Sequence, residues 1–83
     1  MNLEILTPEK KLFSDDVYGV QLPGVNGSFE ILSRHAPLIS ALKSGRIKVL
    51  NDKSHNTFFE IQSGFVEVLD NRITVLAEGE RAV

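Results

Sequence analysis

Few side chains in this sequence could do chemistry, and the first candidates are two histidines, His35 and His55. An imidazole can ligate a metal or act as a general base near neutral pH. A catalytic zinc ion usually takes three protein ligands, and because the chain has no cysteine the third would have to be a carboxylate. No H-E-x-x-H spacing supports such a site, and no G-x-S-x-G motif supports a serine nucleophile. The sequence therefore predicts a chain that is not an enzyme by itself, with no catalytic, metal-binding or cofactor-binding residues.

The loop around Gly24 and Gly27 is a second candidate, since glycine-rich loops can cradle phosphates. No lysine of a phosphate loop follows, and no G-x-G-x-x-G is present. Pro23 fixes φ, the glycines permit positive φ, and Asn26 can bond its own backbone, so the sequence predicts a tight, protruding loop. Such a loop is either a plain strand connection or a contact surface on a rigid scaffold, and the residue types leave both open.

A corner is predicted at His35-Ala36-Pro37. The proline disfavours helical geometry for Ala36, and we expect the imidazole to bond a nearby backbone group. The other histidine, His55, lies beside Asn56 in a polar stretch and is interpreted as a solvated loop residue.

The elements that must position these residues are strands, because the apolar pattern has a period of two. Strands are predicted at 3–6, 17–22, 29–32, 38–42, 46–50, 58–62, 66–68 and 72–76, and Asp70-Asn71 predicts a type I′ hairpin turn. About eight short strands without a helical pattern predict an all-β fold, a small β-sandwich or flattened barrel of two packed, mostly antiparallel sheets.

We expect one domain over residues 1–83, with 79–83 a frayed tail. One interior should hold Ile47, Val49, Phe59, Ile61, Val66, Val68, Ile73 and Val75.

Composition narrows the class of protein further. The net charge of −2 argues against nucleic-acid binding. Residues 31–56 carry five basic side chains against one acid, whereas both flanking segments are acidic; this pattern fits either a docking face or the solvent sides of strands. The N-terminus does not resemble a signal peptide, and no apolar run approaches the ~20 residues of a membrane helix. Any membrane association is therefore expected to run through a partner, and the isolated chain is expected to be a monomer.

Several segments, in order along nearly the whole chain, resemble the epsilon subunit of F-type ATP synthases. The stretch G-V-N-G-S-F-E-I-L-S-R-H-A-P-L at residues 24–38 resembles that family's glycine loop and H-A-P-L corner. Residues 12–17 (L-F-S-D-D-V), 20–24 (V-Q-L-P-G), 62–68 (Q-S-G-F-V-E-V) and 71–78 (N-R-I-T-V-L-A-E) resemble other family motifs.

The resemblance implies a non-catalytic rotor subunit of a proton-translocating enzyme, on the cytoplasmic face of the bacterial inner membrane as a peripheral protein. Its partners would be the gamma subunit of the central stalk and the ring of c subunits. The resemblance implies a c-ring contact at one loop, which we call the tip: Val25, Asn26, Gly27, Ser28, Phe29 and Glu30. It implies a gamma contact at one face of the sandwich, which the sequence does not identify, and at a second segment, which we call the corner: His35, Ala36, Pro37 and Leu38.

Some positions depart from the family pattern. Ser28 replaces a frequent glutamate, so Glu30 is expected to supply the acidic contact instead. Arg34 replaces a frequent glycine, which argues against positive φ at that position. Most members continue into a two-helix domain where this sequence ends, so we expect neither nucleotide binding nor helix-mediated inhibition. The alternative function is a free-standing β-sandwich adaptor that binds a peptide or glycan through an edge strand.

Overall fold

The computed structural model describes residues 1–82, which form ten strands and their connections. The strands are β1 (Asn2–Leu6), β2 (Lys11–Asp16), β3 (Gly19–Gly24), β4 (Gly27–Leu32), β5 (Leu38–Leu42), β6 (Gly45–Leu50), β7 (Asn56–Ile61), β8 (Ser63–Leu69), β9 (Arg72–Glu78) and β10 (Arg81–Ala82). No helix in these residues is long and apolar enough to cross a membrane.

The strands join in one hydrogen-bonded sheet of order β10-β7-β6-β3-β5-β8-β9-β1-β2, with β4 paired to β3. The pairs are antiparallel except for β1 with β9, which run parallel. Strand β3 links two halves, because its first residues pair with β6 whereas Gly24 pairs with Leu42 of β5. We call β5, β8, β9, β1 and β2 the first half-sheet, and β10, β7, β6, β3 and β4 the second half-sheet.

The sheet curls so that both halves bury one face in a single core. Alternate residues of eight strands contribute to this core, which includes the whole predicted interior set. The curl brings β2, at one end of the strand order, against β7 near the other end. There the rings of Phe13 and Phe59 meet edge to face, with their centroids 6.2 Å apart. The predicted all-β fold of two packed layers is confirmed, and the layers are halves of one continuous sheet.

The predicted strands are all present, but two further strands were not predicted. Strand β2 has the sequence KLFSDD, which lacks an apolar alternation, and β10 has only two residues. The type I′ turn is confirmed, since Asp70 and Asn71 have φ of 52° and 62°. In the segment expected to be frayed, Arg81 and Ala82 pair with Glu60 and Phe59 of β7, and Val83 lies outside the described residues.

The expectation for Arg34 is wrong, because this residue has a φ of 65°. A non-glycine residue in this conformation costs about 1–2 kcal/mol, which other interactions must offset. Here the backbone N–H of Arg34 donates to Asn71 Oδ1 at 2.9 Å, across 37 residues of sequence. A tertiary hydrogen bond thus accompanies a backbone conformation that the local sequence disfavours.

Candidate functional site

The tip is the hairpin between β3 and β4, closed by the pair Gly24 and Gly27 around the turn residues Val25 and Asn26. Gly27 has a φ of 129°, which glycine adopts readily. Gly24 needs no positive φ; a Cβ there would lie 2.7 Å from the Gly27 carbonyl oxygen and 2.8 Å from the Phe29 ring. The two glycines therefore serve different purposes, one conformational and one steric.

Five of the six tip residues are exposed, and the sixth supports them. Phe29 is half-buried and packs against the core beneath the turn. Ser28 and Glu30 point to the outer side of β4, where Glu30 lies opposite Gln21 of β3. The acidic group proposed to replace the family glutamate thus lies on the flank of the second half-sheet beside the turn.

The corner connects β4 to β5 and exposes three of its four residues, with Leu38 half-buried. The predicted imidazole contact to backbone is present: His35 Nδ1 lies 2.8 Å from the carbonyl oxygen of Ala36. Because a carbonyl only accepts, Nδ1 carries the proton in this hydrogen bond. Arg34 and its bond to Asn71 anchor the start of the corner, so the corner is fixed to the β8–β9 turn.

The tip turn and the corner lie at opposite ends of the molecule. Strand β4 runs from Gly27 at the tip to Leu32 before the corner. Six residues of an extended strand span about 20 Å. The whole domain measures 28 by 24 by 23 Å. The tip turn and the corner are therefore two sites, separated by about the length of β4, and Glu30 lies on the strand between them.

A third candidate surface is the outer side of the first half-sheet, which sequence reasoning did not single out. Outward-facing residues of a half-buried sheet are usually polar, yet this side carries several exposed apolar side chains. Ile39 is 74% exposed, Phe65 59%, Leu76 54% and Leu69 50%. Cross-strand pairs join Ala41 to Phe65, Phe65 to Leu76, and Leu76 to Leu6. We call this set the apolar face: Leu6, Ile39, Ala41, Phe65, Leu69 and Leu76.

The apolar face reaches both ends of the domain. Beside the β1–β2 turn, Leu6, Phe65 and Leu76 line a groove of about 400 Å³. At the other end a groove of about 340 Å³ joins Pro37 of the corner to Ile39 and Leu69. The sequence signal for this face is that β5, β8 and β9 carry apolar residues on both sides, as in Leu38-Ile39 and Val75-Leu76-Ala77. Contiguous exposed apolar surface on a small domain marks an interaction site.

A cluster of charged side chains lies on the second half-sheet. Glu60 of β7 accepts from Arg81 at 3.1 Å and lies 3.6 Å from Arg46, whose guanidinium sits over the Phe58 ring. The hydrogen bond from Arg81 is the main cause that lowers the pKa of Glu60. Arg46 is thus engaged on the solvent side of a strand, which favours that interpretation of the basic middle segment.

The second histidine sits in the β6–β7 loop. There the pKa of Asp52 is lowered to about 2. The main cause is the hydrogen bond from the backbone N–H of Ser54, and the second is the hydrogen bond with the His55 side chain. Among residues 1–82, no three potential ligands converge on a metal position.

The family model and the relatives that match this chain all point to one family. The family model for the ATP synthase delta/epsilon chain, β-sandwich domain, matches residues 1–82. The ATP synthase epsilon chain of Protochlamydia amoebophila is 41% identical over 81 residues, covering 98% of this chain and 55% of that relative. The ATP synthase epsilon chain of Chlorobaculum tepidum is 47% identical over 77 residues, covering 92% of this chain and 86% of that relative.

Solved structures show the same fold at low identity. A chain in the central stalk and c-ring structure of the Tetrahymena thermophila mitochondrial ATP synthase superposes with a TM-score of 0.85 at 20% identity. That match covers 98% of this chain and 65% of the other. A chain of the Euglena gracilis mitochondrial ATP synthase superposes with a TM-score of 0.89 at 16% identity, covering 96% of this chain and 51% of the other. With the family model matched over residues 1–82 and the fold reproduced, this chain belongs to the family of ATP synthase delta/epsilon chain β-sandwich domains.

Proposed function

We propose that this chain is a non-catalytic central-stalk subunit of a proton-translocating F-type ATP synthase, and that it couples the gamma shaft to the membrane ring of c subunits. The family and the epsilon-chain relatives support this role. The two epsilon-chain relatives named above are bacterial, which supports a peripheral position on the cytoplasmic face of the inner membrane. The described residues contribute surfaces for docking, and the proposal needs no cofactor.

The observation that carries the proposal is the separation of the tip from the corner along β4. A subunit that couples two partners needs two attachment points that a rigid body holds apart. Both attachment points here belong to one sheet with a shared core. Torque applied at one end would therefore reach the other without a flexible link between them.

The tip is proposed to meet the polar loops of the c-ring. Its turn residues Val25 and Asn26 are exposed, and Ser28 and Glu30 lie beside them. Charged and polar contacts of this kind are individually weak when exposed, about 0.2–1 kcal/mol each. A single contact of this strength would not hold the tip, so attachment to the ring would depend on several of them acting together.

The corner and the apolar face are proposed to dock on gamma as one continuous surface. Pro37 and Ile39 share a groove, so the corner leads directly onto the apolar face. Burial of apolar side chains contributes about 25 cal/mol per Å², which makes this the stronger of the two attachments. The domain would therefore be attached more firmly to gamma than to the ring.

The experiment is a calorimetric titration of this chain with the gamma subunit of the same complex. Phe65→Asp places a charge in the apolar face and should abolish measurable binding, because the carboxylate would lose water on docking. Tyr18→Asp is the matched control: Tyr18 is 50% exposed but lies outside the apolar face and the corner. Equal binding by wild type and Phe65→Asp would mean that gamma docks elsewhere.

A further inference from the structure

One carboxylate interrupts the apolar face. Glu67 lies on β8 between Phe65 and Leu69, which share its side of the strand. Across the sheet it is opposite Ile39 of β5 and Thr74 of β9. An exposed charge therefore has apolar neighbours on three of its four sides.

Among the described residues, none forms an ion pair with Glu67. Within residues 1–82 the carboxylates in ion pairs are Glu4 with Lys11 and Glu60 with Arg46 and Arg81, and Asp52 contacts the imidazole of His55. Arg72 lies diagonally across the same side of the sheet, opposite Leu69, but it forms no ion pair with Glu67 among the described residues. The other titratable groups in the adjoining groove are Asp70 and Glu4, and Glu4 is already paired with Lys11.

Water solvates Glu67 while the apolar face is open. A partner that covers the face removes this water, and an unpaired carboxylate under an interface opposes the gain from burying the apolar side chains around it. The cost falls if the partner presents a cation at the same place.

We propose that the surface that docks on the apolar face carries a lysine or arginine that pairs with Glu67, so that Glu67 sets the specificity and register of docking. The proposal rests on the proposed function, in which this partner is the gamma shaft. The apolar side chains supply the attraction, and the charge pair selects the one position where the basic group meets the carboxylate. A surface with a neutral or acidic group at that position is rejected.

The test measures the affinity of gamma for the wild-type chain and for Glu67→Gln across a series of salt concentrations. Glu67→Gln should weaken binding by about tenfold or more, because truncation leaves the partner cation unpaired in the interface. Its affinity should also depend less steeply on salt than that of wild type. Glu67→Lys should weaken binding further. Glu80→Gln removes a carboxylate in the β9–β10 connection, outside the proposed surfaces, and should bind like wild type.

Rescue identifies the partner group. Each lysine and arginine on the docking side of gamma is changed to glutamate in turn, and one of these variants should restore binding to Glu67→Lys. Wild-type affinity for Glu67→Gln at every salt concentration would overturn the proposal, as would the absence of a rescuing variant. A lower melting temperature of isolated Glu67→Gln with unchanged affinity would also overturn it, since the carboxylate would then act within the domain.

Failure of this inference is distinct from failure of the proposed function. If gamma binds wild type and Phe65→Asp equally, the assignment of the apolar face to the shaft is wrong. If Phe65→Asp fails to bind while Glu67→Gln binds as wild type does, the face docks on gamma but Glu67 does not select its partner.

Discussion

Phe59 shows how one side chain holds the curled sheet closed. Its side chain is 7% exposed and meets Phe13 edge to face, joining β7 to β2 across the core. These strands lie near opposite ends of the strand order, so no backbone ladder connects them. The closure of the curl therefore rests on side-chain packing at this point.

Phe59→Ala should lower the free energy of unfolding by about 3–5 kcal/mol, the usual range for a buried phenylalanine. Phe65→Ala is the control within the same chain, because Phe65 is 59% exposed and should cost well under 1 kcal/mol. Urea unfolding followed by circular dichroism measures both. Similar midpoints for Phe59→Ala and wild type would contradict the assignment of Phe59 to the core.

An ion pair joins strand β10 to the sheet in addition to its backbone pairing. Arg81 lies directly opposite Glu60 and donates to its carboxylate at 3.1 Å. Folding lowers the pKa of Glu60 below 4.5, its value in the unfolded chain. The interaction therefore stabilises the fold in full at pH values above that unfolded pKa. This stabilisation is lost as the pH falls through the lower, folded value.

Titration of the Glu60 carboxyl carbon by NMR tests this account of β10. Arg81→Gln should raise the pKa of Glu60, because the hydrogen bond from Arg81 is the largest cause of its shift. Arg46→Gln should raise it less, in line with the longer separation of 3.6 Å. A larger effect of Arg46→Gln would show that the other arginine holds the carboxylate.

Elements with a strong apolar alternation were predictable, and those defined by tertiary contacts were not. Strands β6 to β9 follow directly from alternation, as the burial of Val66, Val68 and Val75 shows. Strand β2 is largely exposed and exists because β1 pairs with it. The φ of Arg34 depends on Asn71, a distant residue whose role the local sequence does not reveal. The parallel pairing of β1 with β9 likewise has no local signal.

The candidate surfaces also divide into those that local sequence predicts and those that only tertiary structure brings together. The tip and the corner carry glycine, proline and histidine motifs, so the sequence revealed them as segments, although it did not reveal their separation along β4. The apolar face gathers residues from β1, β5, β8 and β9, and only the pairing of those strands brings them together. Its constituent side chains are ordinary in sequence and unusual only in their exposure.

At the scale of the whole molecule, the domain is a short rigid body with different surfaces at its ends and on one side. The tip offers polar groups at one end, the corner lies at the other, and the apolar face joins the corner to the far groove. A shaft contact along the apolar face would leave the tip turn free to reach a second partner. This geometry is what the coupling role requires.

Cysteine cross-linking in the assembled ATP synthase tests the coupling role most directly, because the chain has no cysteine of its own. Cysteines are placed at Ser28 in the tip and Pro37 in the corner, with partner cysteines in the polar loop of the c subunit and at the foot of gamma. We predict that Ser28→Cys cross-links to the ring and Pro37→Cys to gamma, and that ATP synthesis persists because the joined parts turn together. Cross-links in the reverse combination would contradict the account by showing that the domain sits the other way round. The absence of cross-links to either partner would contradict it and favour the edge-strand adaptor.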